Sequence, residues 1–128
     1  MEVDKRGNQV IKKVLVAEDD EFNYLLIETV LTLHGYSVVH ARNGKEAIGL
    51  FRSEKTIDIV LMDLQMPVMD GFAAIQEIRT FDEHVPVIVQ TTHNIDGMRD
   101  KAFRVGCSDF ITKPIEPEVL LNKIEKYL

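Results

Sequence analysis

The chain has 128 residues, of which 21 are acidic and 15 basic, giving a formal net charge of −6. That length is one domain with room for a full core, and 45% hydrophobic with 28% charged residues excludes a disordered tail, a collagen-like chain and a coiled-coil rod. No apolar run reaches the ~20 residues of a membrane span. The polar start, residues 1–6, lacks a signal peptide's apolar stretch. A single cysteine, Cys107, leaves no disulfide framework and no cysteine zinc site. The acidic balance argues against autonomous binding of nucleic acid. A reduced cytoplasmic domain, without membrane contact of its own, is the expectation.

Residues 1–11 are polar and aperiodic and read as a linker; the domain proper runs over 12–128. Val14-Leu15-Val16-Ala17 is a continuous apolar run stopped by Glu18-Asp19-Asp20. Phe22, Leu25, Leu26, Thr29, Val30 and Leu33 then recur at i, i+3, i+4, i+7, i+8 and i+11, one face of a helix, with Gly35 as its stop. Tyr36 to Ala41 reads as a strand. Asn43, with Glu46 three residues on, caps a second helix that buries Ala47, Leu50 and Phe51. Ile57 to Met62 is a second apolar run, ended by Asp63. Pro67 and Gly71 punctuate the loop behind it, and a helix follows with Phe72, Ile75 and Ile78 inward.

Val85 to Gln90 is the next strand, with Pro86 near its start. Ile95, Met98, Ala102 and Val105 mark a weaker helix, since Gly97 falls inside it, and Gly106 ends it. Phe110-Ile111-Thr112 is a short last strand. Pro117 opens a final helix with Leu120, Ile124, Tyr127 and Leu128 on one side. Five strands and five helices alternate. Apolar runs that do not alternate in polarity suit strands covered on both faces, hence a parallel sheet between two helix layers. His34, His40 and His84 read as surface or turn residues, Cys107 as a small buried hydrophobe, and Met66 and Met69 as packing at the rim of the acidic loop.

In an open parallel sheet ligands gather outside the carboxyl ends of the strands. The first strand delivers Glu18, Asp19 and Asp20 there, the third Asp63, the fourth Thr91 and Thr92, and the fifth Lys113 and Pro114. The second delivers only Ala41-Arg42-Asn43-Gly44. A pocket of carboxylates, one hydroxyl and one ammonium needs neutralising. Mg²⁺ does that with oxygen ligands while leaving room for a phosphate oxygen. Lys113 and Thr91 supply charge and a donor to further oxygens. These are the parts of phosphoryl transfer, and a carboxylate can be the nucleophile. Asp63, alone on its strand, is the candidate acceptor.

Four segments carry a resemblance: Val14-Leu15-Val16-Ala17-Glu18-Asp19-Asp20, Met62-Asp63-Leu64-Gln65-Met66-Pro67-Val68-Met69-Asp70-Gly71, Val89-Gln90-Thr91-Thr92 and Ile111-Thr112-Lys113-Pro114. In this order and within one domain length, they resemble the receiver (response-regulator) domains of two-component phosphorelay signalling, over roughly Lys12 to Leu128. The resemblance implies a flavodoxin-like (βα)5 three-layer sandwich of strand order 2-1-3-4-5. In that order the second strand lies at an edge and the other four surround one crevice.

The resemblance further implies that Asp63 takes a phosphoryl group from a partner's histidine. Asp19, Asp63 and the backbone carbonyl of Gln65 would ligate Mg²⁺, and Glu18 would act through a metal-bound water. Lys113 would pair with the acceptor. Thr91 and Phe110 would form the switch. Gln65 and His93 would tune phosphoryl lifetime, an imidazole at position 93 making the decay pH-dependent. Three residues depart from the family pattern: Glu18 stands where Asp is commoner, Thr92 is larger than the usual Ala or Gly, and Phe110 replaces a frequent Tyr.

The run Glu18-Asp19-Asp20-x-x-Asn23 and the loop after Met62 resemble receivers fused to hybrid sensor histidine kinases. The implied partners are a histidine kinase, in the same chain or another, and a histidine phosphotransfer protein; a homodimer is also open. A stand-alone regulator and the receiver of a DNA-binding regulator remain alternatives, though no helix-turn-helix is expected in these residues. The reading from another class is an aspartyl-phosphate phosphatase. Such an enzyme usually carries an acid two positions after its nucleophile, where this chain has Gln65. A degenerate receiver serving only as a binding module would lack the acceptor or the lysine, and both are present.

Overall fold

The computed structural model describes residues 3–92 and 97–128. Among them, strands and helices alternate as β1 (Lys13–Ala17), α1 (Glu21–Leu33), β2 (Ser37–Ala41), α2 (Gly44–Ser53), β3 (Ile59–Asp63), α3 (Gly71–Phe81), β4 (Val87–Thr91), α4 (Met98–Val105), β5 (Asp109–Thr112) and α5 (Pro117–Tyr127). The sheet runs β2-β1-β3-β4-β5, parallel throughout. The expected strand order and three layers are therefore observed.

The apolar runs explain the layers. Side chains alternate across a strand, so Leu15 and Ala17 join Val60, Met62, Val87 and Val89 on the side of α2, α3 and α4. Val14 and Val16 join Ile59, Leu61 and Ile88 on the side of α1 and α5. Every residue of β3 and β4 is buried. A strand covered on both faces cannot alternate in polarity, and these do not.

Three helices begin at the pocket end of the sheet with the same device. Asp20, Asn43 and Asp70 accept hydrogen bonds from the backbone N–H groups of Asn23, Glu46 and Ala73, at 2.9, 2.8 and 2.9 Å. Each satisfies a donor that the first helical turn leaves unpaired. Of the three, the Asn43 cap was legible in the sequence.

The periodic stripe on α1 is the main correction. Phe22 is 86% exposed and Leu33 78%, and Leu25 and Leu26 also face outward. The buried face is Tyr24, Ile27, Val30 and Leu31. The helix carries two apolar stripes, and periodicity registers a stripe without saying which one meets the sheet. A second correction concerns Gly97, which caps α4 instead of interrupting it. Its φ of 93° is left-handed and open to glycine. Ile95, expected on that helix, lies outside the described residues. Gly106, with φ 118°, ends α4 as expected. Residues 3–9, expected to be aperiodic, close into a small turn with a Val3–Gln9 antiparallel bridge. The Asp4 carboxylate accepts from the N–H groups of Arg6 and Asn8 there.

Candidate functional site

Glu18 follows the last residue of β1, Asp63 ends β3, Thr91 ends β4 and Lys113 follows β5. The sheet order sets these four side by side. Glu18 and Asp63 are buried, while Asp19 is exposed at the rim. One carboxylate oxygen from each of Glu18, Asp19 and Asp63 lies within 4.8 Å of the others.

Lys113 is the counter-ion of the pocket. Its Nζ stands 2.8 Å from Glu18 Oε1 and 2.9 Å from Asp63 Oδ2. Burial works to lower the Lys113 pKa, but its bonds to Glu18 and Asp63 outweigh that and hold it above its ordinary value. Burial, reinforced by the neighbouring Asp63 carboxyl, pushes Glu18 up to about 6 against the attraction of Lys113. One ammonium against three carboxylates leaves excess negative charge. The Lys113–Pro114 peptide is cis.

The loop after β3 fixes the far side of the pocket. The Gln65 N–H donates to Asp63 Oδ1 at 2.9 Å, and Thr92 Oγ1 donates to Gln65 Oε1 at 3.2 Å. Gly71 is required where it stands: a Cβ there would lie 2.3 Å from the Asp63 carbonyl oxygen. Met69 and Met66 pack against the α2–α3 side of the core, as expected of the loop rim.

Thr91 is fully buried. Phe110, in β5 beside Val89, is half-buried against the same core cluster, with the Arg99 guanidinium carbon 5.9 Å from its ring centroid. His93 lies outside the described residues. His40 corrects an expectation: instead of lying at the surface it is half-buried, stacked on Tyr24 with 3.4 Å between ring centroids. Its Nε2 lies 2.9 Å from the Glu18 carbonyl oxygen.

Two site residues went unassigned in the sequence. Asn23 Nδ2 donates to Glu18 Oε1 and to Gln90 Oε1 at 3.3 Å. Asn23 was visible in the run after β1, and Gln90 in the segment Val89-Gln90-Thr91-Thr92, but neither was given a role of its own.

The donor set is all oxygen, carries excess negative charge and includes the buried Glu18 Oε2, which has no hydrogen-bond partner among the described residues. That chemistry fits a hard divalent cation such as Mg²⁺ and does not fit a soft metal.

Comparison with known proteins identifies the family. The family model described as the response regulator receiver domain matches residues 14–125. The chain belongs to that family, a domain of two-component signalling. It is 38% identical over 135 residues to hybrid signal transduction histidine kinase I of Dictyostelium discoideum, covering 95% of this chain and 8% of that kinase. The chain is also 37% identical to the chemotaxis protein CheY of Thermotoga maritima, covering 90% of this chain and 98% of that protein.

Among solved structures it resembles the receiver domain of sensor histidine kinase PA1611 from Pseudomonas aeruginosa PAO1, which has a magnesium ion coordinated in its active-site cleft. The TM-score is 0.85 and the identity 29%, over 92% of this chain and 98% of that one. It also resembles the Saccharomyces cerevisiae receiver domain of Ssk1, co-crystallised with the histidine phosphotransfer protein Ypd1. There the TM-score is 0.85 and the identity 29%, over 93% and 91% of the two chains. Among the described residues no helix is long and apolar enough to cross a membrane.

Proposed function

We propose that Asp63 is the phosphoacceptor of a phosphorelay and that Glu18, Asp19, Lys113 and Thr91 serve its chemistry. The observation that carries the reading is the position of Lys113 Nζ, within 3 Å of both Asp63 and Glu18 at the carboxyl end of the sheet. An oxygen of the Asp63 carboxylate attacks phosphorus, the phosphorus–nitrogen bond to the donor imidazole breaks, and the released nitrogen keeps its electron pair. Water later attacks the acyl phosphate, releasing phosphate and restoring the carboxylate. Asp19, Asp63 and the Gln65 carbonyl would hold Mg²⁺ directly, with Glu18 acting through water. Bound there, the ion offsets the charge of carboxylates and phosphoryl oxygens. Lys113 offers its ammonium to a phosphoryl oxygen, and Thr91 its hydroxyl to another.

The switch follows from Thr91 and Phe110 lying on adjacent strands. A Thr91 hydroxyl drawn to the phosphoryl group vacates space against which Phe110 repacks, biasing a two-state element. The phosphodonor is a histidine-bearing protein, a kinase or a phosphotransfer domain. It docks on the exposed stripe of α1, where Phe22, Leu25, Leu26 and Thr29 line a concavity beginning two residues after Asp20. The hybrid-kinase relative supports an origin in a longer sensor chain, with residues 1–11 as the connection and 12–128 as the receiver.

Phosphoramidate with Mg²⁺ adds about 80 Da once to the wild type, as expected of one acyl phosphate. Asp63→Ala stays unmodified, and chelation of the metal stops the reaction. A second adduct, or modification of Asp63→Ala at the wild-type rate, contradicts the reading.

A further inference from the structure

We infer that Gln90 is a positioning residue for the Glu18 carboxylate, acting through Asn23; this rests on the function proposed above. Gln90 is wholly buried in β4, an interior strand of the sheet, paired with Asp63 on one side and Ile111 on the other. Its side chain leaves the strand on the same face as that of Ile88, toward α1. A valine or leucine there would suit the surrounding layer of Val16, Leu61 and Ile111.

The amide orientations form a chain of necessity. A carboxylate only accepts hydrogen bonds, so the Asn23 NH₂ group turns toward Glu18. The second N–H of that group reaches Gln90 Oε1. Turning Gln90 over would set donor against donor. Its oxygen therefore faces Asn23, and Gln90 Nε2 is left buried without a partner among the described residues. Such a half-satisfied amide is less stable than an apolar side chain of the same shape. What it secures is Asn23, whose amide holds the same Glu18 oxygen that Lys113 binds, leaving Glu18 Oε2 with no hydrogen-bond partner among the described residues. A strand that accepts this cost for a hydrogen bond to a pocket residue carries the signature of a supporting shell, where substitutions typically cost metal sites 10- to 100-fold in affinity or activity.

The test replaces Gln90 with Met, similar in length and without hydrogen bonds, and with Leu as a second variant. Three quantities are read: the metal-free thermal midpoint, the Asn23 side-chain amide signals by NMR, and the midpoint of a Mg²⁺ titration. The inference expects a thermal midpoint equal to or above the wild type in at least one variant. It expects Asn23 amide protons that exchange faster with solvent even without metal, and a Mg²⁺ midpoint raised roughly tenfold. In an Asn23→Ala background the same substitutions should leave the Mg²⁺ midpoint where Asn23→Ala alone puts it. Unchanged Asn23 signals in folded variants overturn the inference, as does a full effect persisting without Asn23. The Asn23 signals are read without metal or phosphodonor, so they remain decisive if Asp63 proves not to be the acceptor.

Discussion

Lys113 faces two buried acids, and one of them carries an unfavourable charge. The folded chain holds the Glu18 proton to about pH 6, against 4.5 for an ordinary glutamate. Below pH 4.5 both folded and unfolded chains are protonated at this group and it contributes nothing. As pH rises toward 6 the unfolded chain ionises first, so the native state loses stability over that interval and does not regain it above. Glu18→Gln should therefore remove this loss and flatten the stability of the metal-free protein between pH 4.5 and 6. Denaturant melts at several pH values check this, and equal pH curves for variant and wild type contradict it. Thr91→Ala should accept phosphate at Asp63 yet leave the Phe110 ring signals unmoved on phosphorylation, read by NMR. At this scale the acids, the hydroxyl and the amine were legible because each closes a strand. The Asn23–Gln90 pair was not, because it joins a helix and a strand 67 residues apart and no periodicity encodes an amide orientation.

At the level of elements, α1 shows what a hydrophobic pattern leaves undetermined. Its stripe through Phe22 and Leu25 reads as a buried face, yet the sheet takes Tyr24, Ile27 and Leu31. An apolar face left in solvent beside a pocket is the mark of a partner surface. Phe22→Ser with Leu25→Ser should slow phosphoryl transfer from a histidine phosphotransfer protein by roughly tenfold or more and leave modification by phosphoramidate unchanged. Equal slowing with both donors would mean that the pocket itself was disturbed. The loop after β3 holds a second element-scale feature. Val68 is 78% exposed with φ at +69°, a left-handed conformation costly for a branched side chain. Val68→Asn should raise stability by about 1 kcal/mol, measured by thermal melts, with no change in modification rate. The Gly97 cap belongs here too: a glycine inside an apolar pattern and one just before it look alike until the backbone angle is known.

For the molecule as a whole, the parallel order β2-β1-β3-β4-β5 turns four separate chain segments into one crevice. Continuous apolar runs made the covered parallel sheet legible, while the order of its strands came from family resemblance. Because the crevice gathers more acid than base, Mg²⁺ should stabilise the folded chain by mass action, by roughly 2.7 kcal/mol at about a hundredfold excess over its Kd. Asp19→Asn should lose most of that gain in calorimetric melts. The central claim concerns one oxygen of one side chain, and borohydride trapping reads it directly. After phosphoramidate and Mg²⁺, reduction of the acyl phosphate followed by peptide mass spectrometry should find homoserine at position 63, absent when the metal is chelated. Homoserine at position 19 or 20, or 2-amino-5-hydroxypentanoic acid at position 18, with Asp63 left unreduced in a chain that has gained a phosphoryl group, would contradict the account.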